Sequence, residues 1–297
     1  MPHAHHRVLK SADGHVQVVV LLLHGHHEDH AHVGARGEER AVVVDHEAFV
    51  AGFREIDRLV EALDHLRRSA VGAHPVQVLH ALLQLPGNHR IPKVIWQTNY
   101  TDRVTLAVYL NYLFNRLMAP TYAYRFMDTA ERAAFVQRHC SAEISDCYNQ
   151  LQFGAAQADM WRILVLREYG GVYLDIDAHL AWPLGQSIDV NCTELYLRHR
   201  GGELSNYFIA SEAHNPNLSL LLQQIVANIR ARSSNNVFNL TGPGVFQTVL
   251  GEKDVPTVNY AQMCFQGSFT NEYFQYVDHP QGKWCHLQDG ASVIKQS

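Results

Sequence analysis

The sequence predicts an α/β fold, on three observations. From Ile91 onward, short apolar runs alternate with amphipathic ones. A glycine pair, Gly170 and Gly171, joins a long apolar helical run directly to a short run that carries Asp175 and Asp177. With 47% hydrophobic and 18% charged residues in 297, the chain has material for one large core or two small ones.

Taken in order, residues 91–98 (IPKVIWQT) form a short apolar strand begun by a proline. Residues 104–117 are helical, because Leu106, Leu110, Leu113 and Leu117 recur at helical spacing. Residues 122–128 (YAYRFMD) read as a second strand that ends on a carboxylate, and 129–139 as a helix with Thr129 as N-cap. In 155–169 (AAQADMWRILVLREY) apolar residues cover more than one face, which predicts a buried helix. Gly170 suits its left-handed C-terminal cap, and Gly171 lets the chain turn at once into a strand at 172–176.

On that strand Asp175 and Asp177 are alternate residues and so point to one face. Two adjacent carboxylates repel, and each is costly to bury without a partner. A hard divalent cation such as Mg²⁺ or Mn²⁺ removes that cost and tends to bring a phosphate-bearing ligand. A strand that simply ends in water explains the pair as well. Asp159 and Arg162 stand at i and i+3 on the buried helix, within reach of each other. They form either a plain intrahelical ion pair or a pair that faces the same cavity as the two aspartates.

Residues 1–88 have a different character: the first 87 contain no Asn, Thr, Tyr, Trp or Cys, yet hold most of the histidines. This is either a small domain, with strands in HVQVVVLLLH and ERAVVVDHEAFV and a helix at 57–68, or a stretch that is not native, the true start lying near residue 90. The run HGHHEDH at 24–30 could hold zinc or nickel, but adjacent histidines usually splay into solvent. The net charge of −5 argues against a nucleic-acid surface. The apolar run 16–23 is too short to span a bilayer and, with Asp13 before it, is a poor signal peptide. Five scattered cysteines (Cys140, Cys147, Cys192, Cys264, Cys285) point to a reduced, cytosolic compartment.

IPKVIWQT and then AAQADMWRILVLREYGGVYLDIDAHLAWPL, in that order, resemble the glycosyltransferases of family 32, a group with a DXD-containing sugar-binding region. The group includes fungal α-mannosyltransferases and bacterial capsule and lipopolysaccharide enzymes, and clostridial glucosylating toxins share its core. The resemblance implies a GT-A-type nucleotide-sugar-binding fold over 89–297, with a mixed, mostly parallel sheet and flanking helices. It implies a UDP- or GDP-sugar donor, Mn²⁺ or Mg²⁺, a glycan or glycolipid acceptor, and retention of anomeric configuration. Its expected setting is surface-polysaccharide synthesis in the cytoplasm, with peripheral contact to the inner membrane.

By position, Asp177 looks like the direct metal ligand and Asp175 like the residue that touches donor ribose or sugar, with a share in the metal. Asp159 and Arg162 resemble the pair that binds the donor sugar, and Trp96 the aromatic near the base. A late His followed by a Trp usually closes the site. Here those are His279 and Trp284, with His286 as rival and Lys283 where the family often has Ser. Asn206 resembles part of the acceptor-side segment. Gly242, in LTGPGVF, is placed to offer its backbone N–H to a phosphate or sugar, or else only makes a tight turn.

Two other classes compete. A phosphatase of the haloacid-dehalogenase type also has an apolar strand ending in Asp-x-Asp, but normally wants Thr or Val where His179 stands. A non-catalytic sugar-binding module would not need all four charged residues. Asp159, Arg162, Asp175, Asp177 and Trp96 are expected to line one cleft at the C-terminal ends of the strands. Asp159 on the far side of the sheet from Asp177 would exclude a shared site.

Overall fold

The computed structural model describes residues 81, 88–267 and 291–295 in full, and four earlier strands by their backbone. Contacts divide the chain into two units, Met1–Asp64 with Leu82–Leu85, and His65–Ala81 with Pro86–Ser297. In the first, β1 (His5–Lys10), β2 (Gln17–Leu22) and β3 (Val42–Val44) form an antiparallel sheet in that order. The 24–30 histidine run and the 57–68 helix lie outside the described residues.

The second unit carries β4 (His74–Pro75), paired antiparallel to β6 (Arg103–Val104), and a six-stranded sheet. At the heart of this sheet β5 (Val94–Thr98) runs parallel to both β7 (Ala123–Met127) and β8 (Gly171–Leu174). Beyond β8 come β11 (Leu204–Ser211) and β10 (Glu194–Arg198), each antiparallel to its inner neighbour, and then β12 (Thr257–Asn259), parallel to β10. The sheet is therefore mixed and mostly parallel, as expected. Parallel neighbours need long crossovers. Helix α1 (Leu106–Met118) joins β5 to β7, and α2 (Thr129–His139), α3 (Ala142–Gln150) and α4 (Gly154–Tyr169) lie between β7 and β8.

Helix α4 is buried over Asp159–Leu166 without a break, which is why its apolar residues do not keep to one face. Its two following glycines bring β8 flush against β5. Both have positive φ, 65° at Gly170 and 108° at Gly171. A Cβ on Gly171 would lie 2.5 Å from Val94 Cγ1.

Two local expectations are corrected. The N-cap of α2 is Asp128, with Thr129 the first helical residue: the Asp128 carboxylate accepts from the Glu131 N–H while Glu131 accepts from the Asp128 N–H. This reciprocal box satisfies two otherwise unpaired donors, which a threonine cap alone would not. Second, β8 stops at Leu174. The Asp175 N–H donates to the Tyr207 carbonyl, and its carbonyl accepts from the Ala178 N–H at 3.0 Å. Both aspartates thus sit on a tight turn before β9 (Ala178–Leu180), which pairs with β13 (Cys264–Gln266).

After β11, α6 (Pro216–Ala231) packs on α4, and the short α7 (Val237–Leu240) leads into α8 (Pro243–Leu250). Short helices α5 (Leu184–Ser187) and α9 (Tyr260–Met263) complete the described set. Among the described residues no helix is long and apolar enough to cross a membrane.

The glycine junction is directly testable. Gly171→Ala forces a β-carbon into Val94 at a backbone angle that L residues avoid, and is expected to cost about 3 kcal/mol in chemical denaturation. Gly154→Ala, in a helix start with nothing within 4 Å of the added carbon, is expected to be neutral or stabilising by up to about 1 kcal/mol.

Candidate functional site

The C-terminal ends of β5 and β8 open on a cleft of about 580 Å³. Asp159, Arg162, Asp175, Asp177 and Asn206 all line it. Both readings of the Asp159–Arg162 pair therefore hold together: it is an ion pair within one helix, and it faces the aspartate turn.

Arg162 is the junction. Its Nη2 lies 2.9 Å from Asp159 Oδ1 and 3.2 Å from Asp175 Oδ1, and its Nη1 donates to the Asn206 carbonyl at 2.7 Å. The guanidinium also lies over the Tyr173 ring, 4.4 Å from its centroid. Burial pulls its pKa down, but Asp175, Tyr173 and Asp159 more than offset this and leave it raised. Asp159 is held from every side. Oδ1 also accepts from Asn206 Nδ2 at 2.8 Å, and Oδ2 from the Thr241 hydroxyl at 3.0 Å. Burial still pushes its pKa up to about 6, against the pull of Arg162.

On the turn, Asp175 Oδ1 accepts from the Tyr173 hydroxyl at 2.6 Å, which fixes the carboxylate. The Gln266 amide nitrogen bridges the two acids, 3.4 Å from Asp175 Oδ2 and 3.0 Å from Asp177 Oδ1. One donor between two carboxylates occupies the kind of position a hard cation takes, so the oxygen-only donor set fits Mn²⁺ or Mg²⁺. Burial first, and repulsion from Asp175 second, push the Asp177 pKa up to about 7. Among the described residues no three His, Cys, Asp or Glu side chains form a metal cluster. His279, the expected further ligand, lies with Trp284 and His286 outside the described residues.

The backbone of this turn is held by buried amides that sequence reasoning missed. Gln97 Nε2 donates to the Asp175 carbonyl at 3.0 Å. Asn111 Nδ2 donates to the carbonyls of Ile176 and Ala178, and Asn115 both donates to the Ala178 carbonyl and accepts from the Leu180 N–H. All three side chains are essentially inaccessible to solvent. Two asparagines one turn apart on an otherwise leucine-rich helix were the available signal: buried polar groups must bond to something. Thr241 was also missed, although it lies inside the LTGPGVF loop.

Two expected site residues fall elsewhere. Trp96 does not reach the cleft. It packs in the core, stacks on Tyr169 with ring centroids 5.8 Å apart, and donates its indole N–H to the Gly170 carbonyl at 2.9 Å. Strand alternation sends Trp96 toward the α4–β8 junction and Gln97 to the other face. The strand instead reaches the cleft through Thr98, followed by Asn99 and Tyr100. The Gly242 N–H is already bonded to the Val237 carbonyl at 2.9 Å, so it makes the tight turn between two helices and offers no donor to a ligand.

An acidic turn at the C-terminal edge of an α/β sheet stands beside a buried Asp–Arg–Asn set, at the edge where such sheets commonly bind ligands. Residues 107–194 match the family described as "Glycosyltransferase sugar-binding region containing DXD motif". It is 33% identical over 98 residues to the initiation-specific alpha-1,6-mannosyltransferase of Schizosaccharomyces pombe, over 32% of this chain and 24% of that protein. It is 26% identical over 136 residues to an uncharacterized glycosyltransferase, L373, of Acanthamoeba polyphaga mimivirus, over 44% of this chain and 53% of that one. The chain thus spans about a quarter and about half of the lengths of these relatives. Among solved structures, the PaToxG glycosyltransferase superposes with a TM-score of 0.48 at 19% identity, over 70% of this chain and 80% of that one.

Two predictions follow from this geometry. Both acids have folded-state pKa values above the ordinary 3.8. Each therefore contributes most stability below about pH 4 and loses that contribution as pH rises through its folded value, about 6 for Asp159 and about 7 for Asp177. Asp177→Asn is expected to flatten the fall in unfolding free energy between about pH 4 and about pH 7 in metal-free buffer. Asn111→Ala strands the Ile176 carbonyl, at an expected cost of about 1–3 kcal/mol. Hydrogen exchange at the Ala178 amide should then quicken while β10 amides keep their protection.

Proposed function

We propose that this chain is a metal-dependent, retaining glycosyltransferase of the GT-A type that moves a sugar from a UDP- or GDP-sugar to a glycan or glycolipid acceptor. The observation that carries this is the direct contact of Arg162 with both Asp159 and Asp175, which joins the Asp–Arg pair and the DXD turn in one cleft. The DXD region matched over 107–194 supports it.

Each residue's part follows from its surroundings. Asp177 and Asp175 would hold the divalent cation, with the further ligand supplied by residues such as His279. When bound, the cation neutralises charge that builds on the departing diphosphate. Arg162 pairs with Asp175, and its charge is shared with Asp159. Asp159, whose oxygens already meet Arg162, Asn206 and Thr241, keeps lone pairs that can accept sugar hydroxyls in a fixed direction.

Among the described residues the only acids that line the cleft are Asp159, Asp175 and Asp177. Asp159 is tied down by three donors and the other two face the cation position. None is left free to act as a covalent nucleophile, so front-face attack by the acceptor hydroxyl beside the leaving phosphate is the mechanism proposed. The protein's contribution is then positioning and preorganised charge. The proposed setting, from the family resemblance, is surface-polysaccharide synthesis on the cytoplasmic side of the inner membrane, with peripheral contact to it.

The test mixes the protein with Mn²⁺ and a panel of nucleotide sugars and measures released nucleoside diphosphate. Slow hydrolysis of one donor is expected, with at least a hundredfold loss in Asp177→Asn. Hydrolysis of simple phosphate esters with no nucleotide sugar bound would overturn the assignment.

A further inference from the structure

The cleft has a second buried cation, and its environment is unlike that of Arg162. Arg132, on the first turn of α2, is 2% exposed yet lines the cleft beyond the tip of β5. Its Nη1 donates to the Thr98 hydroxyl at 2.8 Å and its Nη2 to the Thr129 hydroxyl at 3.2 Å. Both partners are neutral. Its Nε is buried with no hydrogen-bond partner among the described residues, and the Tyr148 side chain lies beside the guanidinium. The nearest acids on its own element, Asp128 and Glu131, are both engaged in the capping box. Among the described residues Arg132 makes no ion pair, whereas Arg162 is matched by two carboxylates.

A guanidinium carries five N–H donors in a planar fork. Two are used on the threonines, which leaves the unpartnered Nε–H and, at the terminal nitrogens, two spare N–H groups. A buried cation with no counter-charge and spare donors is costly in an isolated fold. It becomes favourable when oxygen acceptors of a ligand complete it. The rotamer is fixed in advance, since Thr98 also donates its own hydroxyl to the Met127 carbonyl at 2.5 Å, locking the strand end that receives Nη1.

Position decides which part of a ligand reaches this fork. The aspartate turn follows β8. On one side of it stand Arg162, Asp159, Asn206 and Thr241, gathered from α4, β11 and the α7–α8 loop. On the other, past β5 and β7, stand Thr98 and Arg132. A donor that lies across the turn has one end at each group.

We propose that Arg132 is a specificity-determining anchor for the nucleotide half of the donor, its two spare N–H groups taking oxygen acceptors there. This rests on the glycosyltransferase reading above, in which the sugar lies at Asp159 and Arg162. The acceptors are either diphosphate oxygens or carbonyl oxygens of the base. Both present the same chemistry to a guanidinium fork, and the ligand series below separates them.

The experiment measures binding by calorimetry, with Mn²⁺ present, of UDP, GDP, their nucleosides and inorganic pyrophosphate. Arg132→Met is compared with wild type, and Mn²⁺ binding alone and the thermal melt serve as controls. Arg132→Gln, which keeps a donor for Thr98 but loses the charge and the fork, is the second variant should the methionine protein not fold. The expected result is at least a tenfold loss of affinity for the preferred nucleoside diphosphate, with Mn²⁺ affinity unchanged. A parallel loss for pyrophosphate assigns the contact to phosphate, and a parallel loss for the nucleoside assigns it to the base. Wild-type affinity for the diphosphate in the folded variant overturns the proposal. If wild type itself binds neither diphosphate, the nucleotide-sugar reading fails instead.

Discussion

Arg162 is the contact on which the rest of the site depends. One guanidinium, inserted from a helix with almost no solvent, lies against Asp159 on one side and Asp175 on the other. Without it, the wall of the cleft would hold three acids and no nearby charge to balance them. A buried carboxylate then takes up a proton or expels its neighbour. Burial already raises the pKa of Asp159 to about 6 and that of Asp177 to about 7.

Holding such a turn in place needs more than charge. The chain from Asp175 to Leu180 turns sharply and, apart from the Asp175 carbonyl that takes the Ala178 N–H, leaves carbonyls for other groups to satisfy. Three buried amides, Gln97, Asn111 and Asn115, do so from a strand and a helix on either side. Buried amides bond well only in a narrow range of geometry, and they make the position of the two carboxylates a property of the core. The glycine junction serves the same end: α4 and β8 meet with no room for a β-carbon, which fixes Arg162 relative to the turn.

The two cations of the cleft divide it in function. Arg162 is spent on the protein's own acids and shapes the site. Arg132 is spent on neutral hydroxyls and keeps hydrogen-bonding capacity in reserve. A cleft with one compensated and one uncompensated arginine is electrostatically asymmetric.

Sequence by itself determined the α/β class and most helices and strands between residues 91 and 174, and with the family resemblance it pointed to Asp159, Arg162, Asp175 and Asp177 as one site. These were legible because periodicity, glycine pairs and charges on buried helices are local signals. It placed the two aspartates together for a reason that does not hold, strand alternation, when a turn brings them together. Only the tertiary structure decided that Trp96 is core, that the Gly242 N–H is already used, and that Gln97, Asn111, Asn115, Thr241 and Arg132 surround the site. For most of these the physical reason is the same. Which way a strand faces, and which carbonyl a buried amide meets, depends on partners 65 to 82 residues away in the chain, and no local pattern encodes them.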